Sequence, residues 1–293
     1  MTNGQAFPYP LFGPIFTGKD IGNSVYNGMV ATAKYQSRRG YFLQASYVLG
    51  KSIDDNSAFF GSTGETAGVA DGNHINLERG PSSFDTRHHA SILYNMDVPA
   101  GPGHRVFGWN NGFSRQVFGG WNVSGLVTAQ TGQPFTVYDL SQDYSGFNQF
   151  FDRPDVITTG PLPQNNRNPD KAFGNAVWTP AAHGLSYFSN TPPTGRIGTS
   201  GRNQFYGPGL FNWDLAAAKT FALWTERTRL QFRADFFNLF NHTNFANPVH
   251  DESNSNFGKI TQTLGTAVAT SVGTTGGAYG AARQIQFSMR LAF

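Results

Sequence analysis

The chain has 293 residues and a formal charge of +3, and only 13% of its side chains are charged, against about 25% in ordinary soluble domains. It has no cysteine, which excludes disulfides and thiolate metal centres, and its basic residues form no run of the kind that binds nucleic acid. A mean hydropathy of −0.36, with no run of about 18 apolar residues, excludes a helical membrane protein.

The first 25 residues, rich in proline, glycine and aromatics, read as loop. The opening M-T-N-G-Q-A-F-P-Y-P has neither a basic n-region nor an apolar h-region, so no export signal is visible there. From Tyr26 to Ser37, Met29, Ala31, Ala33 and Tyr35 alternate with Val30, Thr32, Lys34 and Gln36. After the turn S-R-R-G, Tyr41, Leu43, Ala45, Tyr47 and Leu49 alternate with Phe42, Gln44, Ser46 and Val48, which makes a hairpin. Lys51–Phe84 is polar and without period.

A third strand is expected over Arg87–Val98, with Ala90, Ile92, Tyr94, Met96 and Val98 on one face. A fourth follows P-A-G-P-G, with Trp121, Val123, Val127 and Ala129 sharing a face. Asp139–Pro208 reads as the longest irregular stretch. The fifth strand sets Phe211, Trp213, Leu215, Ala217 and Phe221 against Asn212, Asp214 and Thr220. The sixth sets Leu230, Phe232, Ala234 and Phe236 against Arg229, Gln231, Arg233 and Asp235. Asn238–Ala282 is again mostly loop, with F-G-K-I-T at 257–261 as a candidate short ladder. The last eleven residues read R-Q-I-Q-F-S-M-R-L-A-F, with Ile285, Phe287, Met289, Leu291 and Phe293 on one face and Gln284, Gln286, Ser288, Arg290 and Ala292 on the other.

Strands of about ten alternating residues are the length a tilted strand needs to cross a bilayer, with one face on lipid and one on a wet lumen. The connections also alternate: short at 37–40, long at 52–86, intermediate at 99–118, long at 136–208, short at 222–227 and long at 241–282. Transmembrane barrels keep brief turns on the periplasmic side and longer loops outside, and a soluble sandwich has no reason to sort its connections so. The fold class expected is therefore all-β: an antiparallel transmembrane β-barrel segment of seven or eight strands with long extracellular loops. Seven is odd, and open edges in lipid leave backbone groups unpaired. The segment thus reads as the C-terminal part of a larger barrel, unless residues 1–25 hide an eighth strand.

Several phrases resemble the barrel of TonB-dependent outer-membrane receptors, in particular the Oar-like group with a carboxypeptidase-regulatory-like N-terminal domain. They are Y-N-G-M at 26–29, S-Y-V-L-G-K-S-I-D-D at 46–55, F-D-T-R-H at 84–88 and G-G-W-N-V-S-G at 119–125. T-G-Q-P-F at 131–135, R-A-D-F-F-N-L-F-N-H at 233–242 and the terminal strand complete the set, in the family's order over almost the whole chain. The resemblance implies energy-coupled uptake by a parent assembly. It also implies that the strand holding Ile285, Phe287, Met289, Leu291 and Phe293 is the signal read by the barrel-assembly machinery. No plug domain and no TonB box are recognisable, so contact with TonB would run through a plug that these residues do not supply. The partners expected are outer-membrane lipid and the barrel-assembly machinery, with no cofactor.

Other candidates are weaker. His88 and His89 adjoin Asp85 and Arg87, with His74 upstream, but adjacent residues on a strand face opposite ways and cannot share a metal. Asp139, Asp143, Asp152 and Asp155 offer oxygen ligands for calcium without the spacing of an EF-hand. Arg229, Gln231, Arg233 and Asp235 are expected in the lumen, and Tyr41, Trp121, Trp213, Trp224, Phe236 and Phe240 in interfacial girdles or, alternatively, in a soluble core. No nucleophile-elbow, phosphate-loop, dinucleotide or zincin pattern is present, and the chain does not read as an enzyme. Two competing readings are a small stand-alone barrel with a structural or adhesive role and a secreted glycan-binding sandwich.

Overall fold

The computed structural model describes residues 20–38, 40–57, 71, 74–101, 116–141, 144–146, 152–157, 162, 168–173, 187–189, 194–222, 228–264 and 282–293. Its strands are β1 (Ser24–Gln36), β2 (Phe42–Asp54), β3 (Gly80–Pro81), β4 (His88–Asp97), β5 (Trp121–Gln130), β6 (Pro134–Phe135), β7 (Phe205–Tyr206), β8 (Leu210–Ala222), β9 (Arg229–Phe237) and β10 (Gln284–Ala292). Two short 3-10 turns, Ile75–Glu78 and Pro169–Lys171, lie in the connections. Each segment of alternating residues is a strand, because a period of two is the only arrangement that separates its apolar and polar side chains onto two faces.

One antiparallel sheet runs β1-β2-β4-β5-β8-β9-β10, with the two-residue β3 beside β2, and β6 pairs with β7 apart from it. All seven long strands pair with their sequence neighbour in the sheet, so the chain folds as an up-and-down meander. Among the described residues the sheet is not closed, and β1 and β10 are its two edges. The first hairpin turns tightly, with Ser37 N–H donating to Tyr41 O at 2.8 Å and Gly40 at φ 83°, a left-handed conformation that glycine adopts without strain. Strand β2 continues to Asp54, beyond the expected end near Leu49, because Ser24–Tyr26 of β1 pair with Ser52–Asp54.

The connections are more ordered than their sequence suggested. Phe135, Val137, Leu162, Phe173, Tyr187, Phe188, Phe205 and Phe257 form a buried aromatic core at the long-loop end of the sheet. Phe135 stacks on Phe173 with ring centroids 5.8 Å apart, while Phe188 meets Phe205 edge-on at 5.5 Å. The stretch read as irregular from Asp139 to Pro208 therefore supplies most of a small hydrophobic centre of its own. The F-G-K-I-T segment forms no strand. Phe257 turns into the aromatic core instead, and the local bridge joins Phe245 to Thr263. Of residues 1–25, where an eighth strand was sought, 1–19 lie outside the described residues, and Ser24 and Val25 belong to β1.

Candidate functional site

The register brings most apolar residues of the seven long strands onto one face, with Val30, Val48, Leu93 and Leu126 among the exceptions. Met29, Ala31, Ala33 and Tyr35 stand opposite Leu49, Tyr47, Ala45 and Leu43, and the last three of these face Ala90, Ile92 and Tyr94. The row continues from Ile92, Tyr94 and Met96 to Val127, Gly125 and Val123, then to Trp213, Leu215 and Ala217. It ends where Phe236, Ala234, Phe232 and Leu230 meet Ile285, Phe287, Met289 and Leu291. A slip of one residue in any pairing would put a strand's polar side chains into this band, so the alternation itself specifies the register.

Aromatic residues lie towards both ends of the band. Tyr35, Trp121 and Phe221 sit by the short turns, and Phe211, Trp213, Phe236 and Phe240 by the long loops. Trp213 Nε1 donates to Tyr94 Oη at 2.8 Å, and the two rings meet edge-on, 6.5 Å between centroids. The tyrosine lies over Gly125, where any Cβ would strike its ring, so the glycine makes the recess that buries Tyr94. Lys219 is the one cation that the alternation of β8 sends into the apolar band. It reaches the short-turn end, where its Nζ donates to Gly119 O at 2.5 Å and Val117 O at 3.3 Å, between the rings of Trp121 and Phe221. Trp224, the remaining girdle candidate, lies outside the described residues, and Tyr41 just precedes β2.

The opposite face is polar and hydrogen-bonded. Asn122 Nδ2 donates to Asn95 Oδ1 at 2.8 Å and Asp97 Oδ1 at 2.9 Å, Thr32 and Ser46 hydroxyls are 3.5 Å apart, and Arg233 pairs with Asp235 at 2.8 Å. Arg229, Gln231, Arg233 and Asp235 all share this face, as expected.

At the long-loop end, buried ion pairs fasten the connection between β2 and β4 to the one before β8. Arg202 Nη2 lies 2.9 Å from Asp54 Oδ1, both side chains being only 6% exposed. Arg202 also donates to Asp54 O, Glu78 O and Ser57 Oγ, and Asn203 Nδ2 donates to Pro81 O at 2.8 Å. Arg153, 5% exposed, donates to Leu77 O at 3.2 Å and lies 3.5 Å from Glu78 Oε1. Burial lowers its pKa from the usual guanidinium value, with Glu78 opposing. Farther along, Glu252 is pushed up to about 8, first by burial and then by the charges of Asp139 and Asp251. Burial lowers the pKa of the neighbouring His250.

Several of the phrases that carry the resemblance run from a strand into a corner or form one. In N-L-F-N-H, Asn238 (φ 52°) and Asn241 (φ 53°) take left-handed conformations; Asn238 Oδ1 accepts His242 N–H at 2.8 Å and Asn241 Oδ1 accepts Arg283 N–H at 2.9 Å, which fixes the start of β10. In F-D-T-R-H, Asp85 Oδ1 accepts Ser52 N–H at 2.7 Å. In G-G-W, Gly119 supplies the carbonyl for Lys219, and in T-G-Q-P-F, Pro134 and Phe135 form β6 and carry the chain into the aromatic core.

The weaker candidates are dispersed. His88 Nδ1 meets Tyr47 Oη at 2.7 Å on the apolar face, and His89 Nδ1 meets Gln130 Oε1 at 3.2 Å on the other. His74 pairs with Asp71 instead. Asp139 accepts from Ser141, Asp152 from the Ser145 backbone, and Asp155 pairs with Arg196 at 2.6 Å, which lowers the Asp155 pKa; Asp143 lies outside the described residues. Among the described residues, no group of three or more histidines or carboxylates is placed to hold a metal ion. Sequence reasoning missed Arg202, Arg153 and Asp54. The signal available was only the density of charged residues in polar loops.

An up-and-down sheet with one continuous apolar face, aromatics towards both its ends and a polar reverse defines a transmembrane β-barrel wall. The model of the family described as "Outer membrane beta barrel domain" matches residues 2–286, and the chain belongs to that family. Its place is the bacterial outer membrane. No curated protein and no solved structure matches the chain.

Proposed function

We propose that the chain forms the C-terminal part of the barrel of a TonB-dependent receptor, supplying wall and outer loops for energy-coupled uptake. The observation that carries this reading is the seven-stranded antiparallel sheet whose outer strands, β1 and β10, each have one neighbour among the described residues. A bare strand edge in hydrocarbon costs several kcal/mol per backbone group, so further strands close the wall, which matches a large barrel better than a small one. The ordered phrases from Y-N-G-M to the terminal R-L-A-F support the receptor subtype. Transport itself belongs to the assembly that also holds a plug for TonB to pull. The long connections face outwards, and the cap they build over the sheet end offers the contacts for substrate.

The strand bearing Ile285, Phe287, Met289, Leu291 and Phe293 serves as the assembly signal. It presents an apolar stripe ending on an aromatic residue, and Phe293 is 98% exposed. Immunoblots of outer-membrane fractions with an antibody to the 136–208 loop test the receptor reading. A band far above 32.0 kDa, together with uptake that stops when TonB is deleted, supports it; a membrane band near 32.0 kDa forming an ungated pore favours a stand-alone barrel. Phe293→Asp is expected to lower outer-membrane accumulation while leaving transcript levels unchanged, and equal accumulation overturns the assembly role.

A further inference from the structure

A cleft of about 630 Å³ opens at the long-loop end, where β4 begins between β2 and β5. Its lining comes from both faces of the sheet. Lys51 and His88 belong to the lipid side, whereas Arg87 and Gln130 stand on the polar side with Gly50 and His89. The cleft therefore passes over the rim of the wall, and the part holding Arg87, Gln130 and Tyr206 opens towards the lumen. A ligand reaches that part from water and not from lipid.

Arg87 is the cation of this lumenal part. It is exposed, and among the described residues its guanidinium makes only a long 3.5 Å contact, from Nη1 to Gly50 O. Asp85, 3% exposed, uses Oδ1 to accept Ser52 N–H and sets a negative charge nearby without reaching a ligand itself. Burial raises the Tyr206 pKa, as does Asp85, while Arg87 opposes them, so the tyrosine hydroxyl lies in the field of both charges. One guanidinium beside one buried carboxylate balances a singly charged anion better than a phosphate dianion. The planar fork of the guanidinium also matches the two oxygens of a carboxylate. The surroundings fit a hydroxylated ring. Tyr206 is 37% exposed, and Gln130 Oε1 accepts from His89 Nδ1 at 3.2 Å, which leaves the Gln130 amide nitrogen to donate. A Cβ on Gly132 would strike Gly207 O, and one on Gly207 would strike Asn247 Oδ1, so this wall of the cleft is bare backbone.

We propose that the lumenal part of this cleft is a subsite for an acidic sugar of a soluble oligosaccharide, with Arg87 on its carboxylate, Gln130 on a hydroxyl and the Tyr206 ring against the sugar face. The subsite gives the uptake reading above a substrate class, and rests on that reading. Its place at the rim puts it on the way from the outer loops into the lumen.

Calorimetry on the protein isolated from outer membranes in detergent micelles tests it, with trigalacturonate as the probe and its full methyl ester as the uncharged match. Trigalacturonate is expected to bind about tenfold more tightly than the ester, the scale of one charge-assisted pair. Arg87→Gln is expected to erase that preference, and Tyr206→Ala to weaken both ligands alike. Arg229→Gln removes a cation on the same face at the short-turn end and leaves binding at the parental level. Unchanged heat-modifiability on gels shows that each variant is folded. Equal affinity for acid and ester overturns the proposal, as does a preference that survives Arg87→Gln or falls as far in Arg229→Gln. Displacement by trialanine at the same concentration as the probe overturns the saccharide source and marks a site for peptide carboxyl termini. Chain size and TonB dependence are read separately. A full-size, TonB-dependent receptor with no preference for the acid brings down the subsite alone. An ungated pore of 32.0 kDa that keeps the Arg87-dependent preference brings down the uptake reading and leaves the subsite standing.

Discussion

Arg202→Ala is the sharpest perturbation of the outer cap. The guanidinium and Asp54 are each 6% exposed, and Arg202 also donates to two carbonyls of the opposing connection, Asp54 O at 3.0 Å and Glu78 O at 3.2 Å. Truncation leaves a buried carboxylate facing a void, and breaking one partner of a buried pair costs about 3–5 kcal/mol. At about 1.4 kcal/mol per tenfold, local opening of the cap rises by roughly two to three and a half orders of magnitude. The sheet does not depend on this pair, so the barrel stays folded while the cap loosens. Hydrogen exchange in lipid reads this directly: amides bonded between the connections and the sheet end, such as Ser82 N–H to Ser52 O, lose protection, and the β4–β5 ladder does not. A companion variant, Arg202→Met with Asp54→Leu, removes both charges and recovers most of the protection, because the loss in the single variant comes from the orphaned carboxylate. Unchanged exchange in Arg202→Ala, or a double variant as open as the single one, refutes the reasoning.

Three further outcomes follow from the same structure. Met289→Arg places a cation mid-strand on the lipid face and is expected to cost about 2–4 kcal/mol of unfolding free energy in vesicles, while Ser288→Arg, on the polar face, changes the denaturant midpoint little. Tyr94→Phe removes the acceptor for Trp213 Nε1 but keeps the ring over Gly125, so the loss is about 0.5–1.5 kcal/mol, well below that of Tyr94→Ala; equal losses would show that the hydroxyl, not the packed ring, holds the recess. Glu252 has a folded pKa of about 8, raised from 4.5, so its contribution to cap stability is fully present below about pH 4.5 and is lost as pH rises towards 8. His250, whose pKa is lowered, acts in the opposite sense below its ordinary pKa of 6.5. Exchange at Val249–Phe257, corrected for intrinsic rates, should therefore increase from pH 6.5 to 8.5 in the parent and flatten in Glu252→Gln; a parallel rise in both assigns the effect elsewhere.

The wall was legible in the sequence and the cap was not, and the reason is physical. Lipid on one side and water on the other force a period of two, so Ile285, Phe287, Met289 and Leu291 identify their face, and the pairing with Phe236, Ala234, Phe232 and Leu230 follows from it. No such period governs the loops. Phe173, Phe188, Phe205 and Phe257 converge from segments with no common spacing, and Arg202 reaches Asp54 across 148 residues. Charged residues in a polar stretch look solvated until the partner that buries them is known. Lys219 was also hidden, because a lysine in an apolar column makes sense only once Gly119 O and the two flanking rings are in place. The corners lay between these extremes: N-L-F-N-H was recognisable as a phrase, but its purpose as a clasp on β10 was not.

The bare edge of β10 has a meaning outside the membrane as well. Gln284–Ala292 contains no proline, no glycine and a single charge, so nothing along it discourages another strand from adding to it in water. Such a stretch, apolar on one face and with its backbone unsatisfied, is the kind of template on which cross-β stacks grow. Between synthesis and insertion the segment is a hazard to itself. When the chain is overproduced faster than it inserts, the expected product is fibrillar aggregate seeded at the carboxyl terminus.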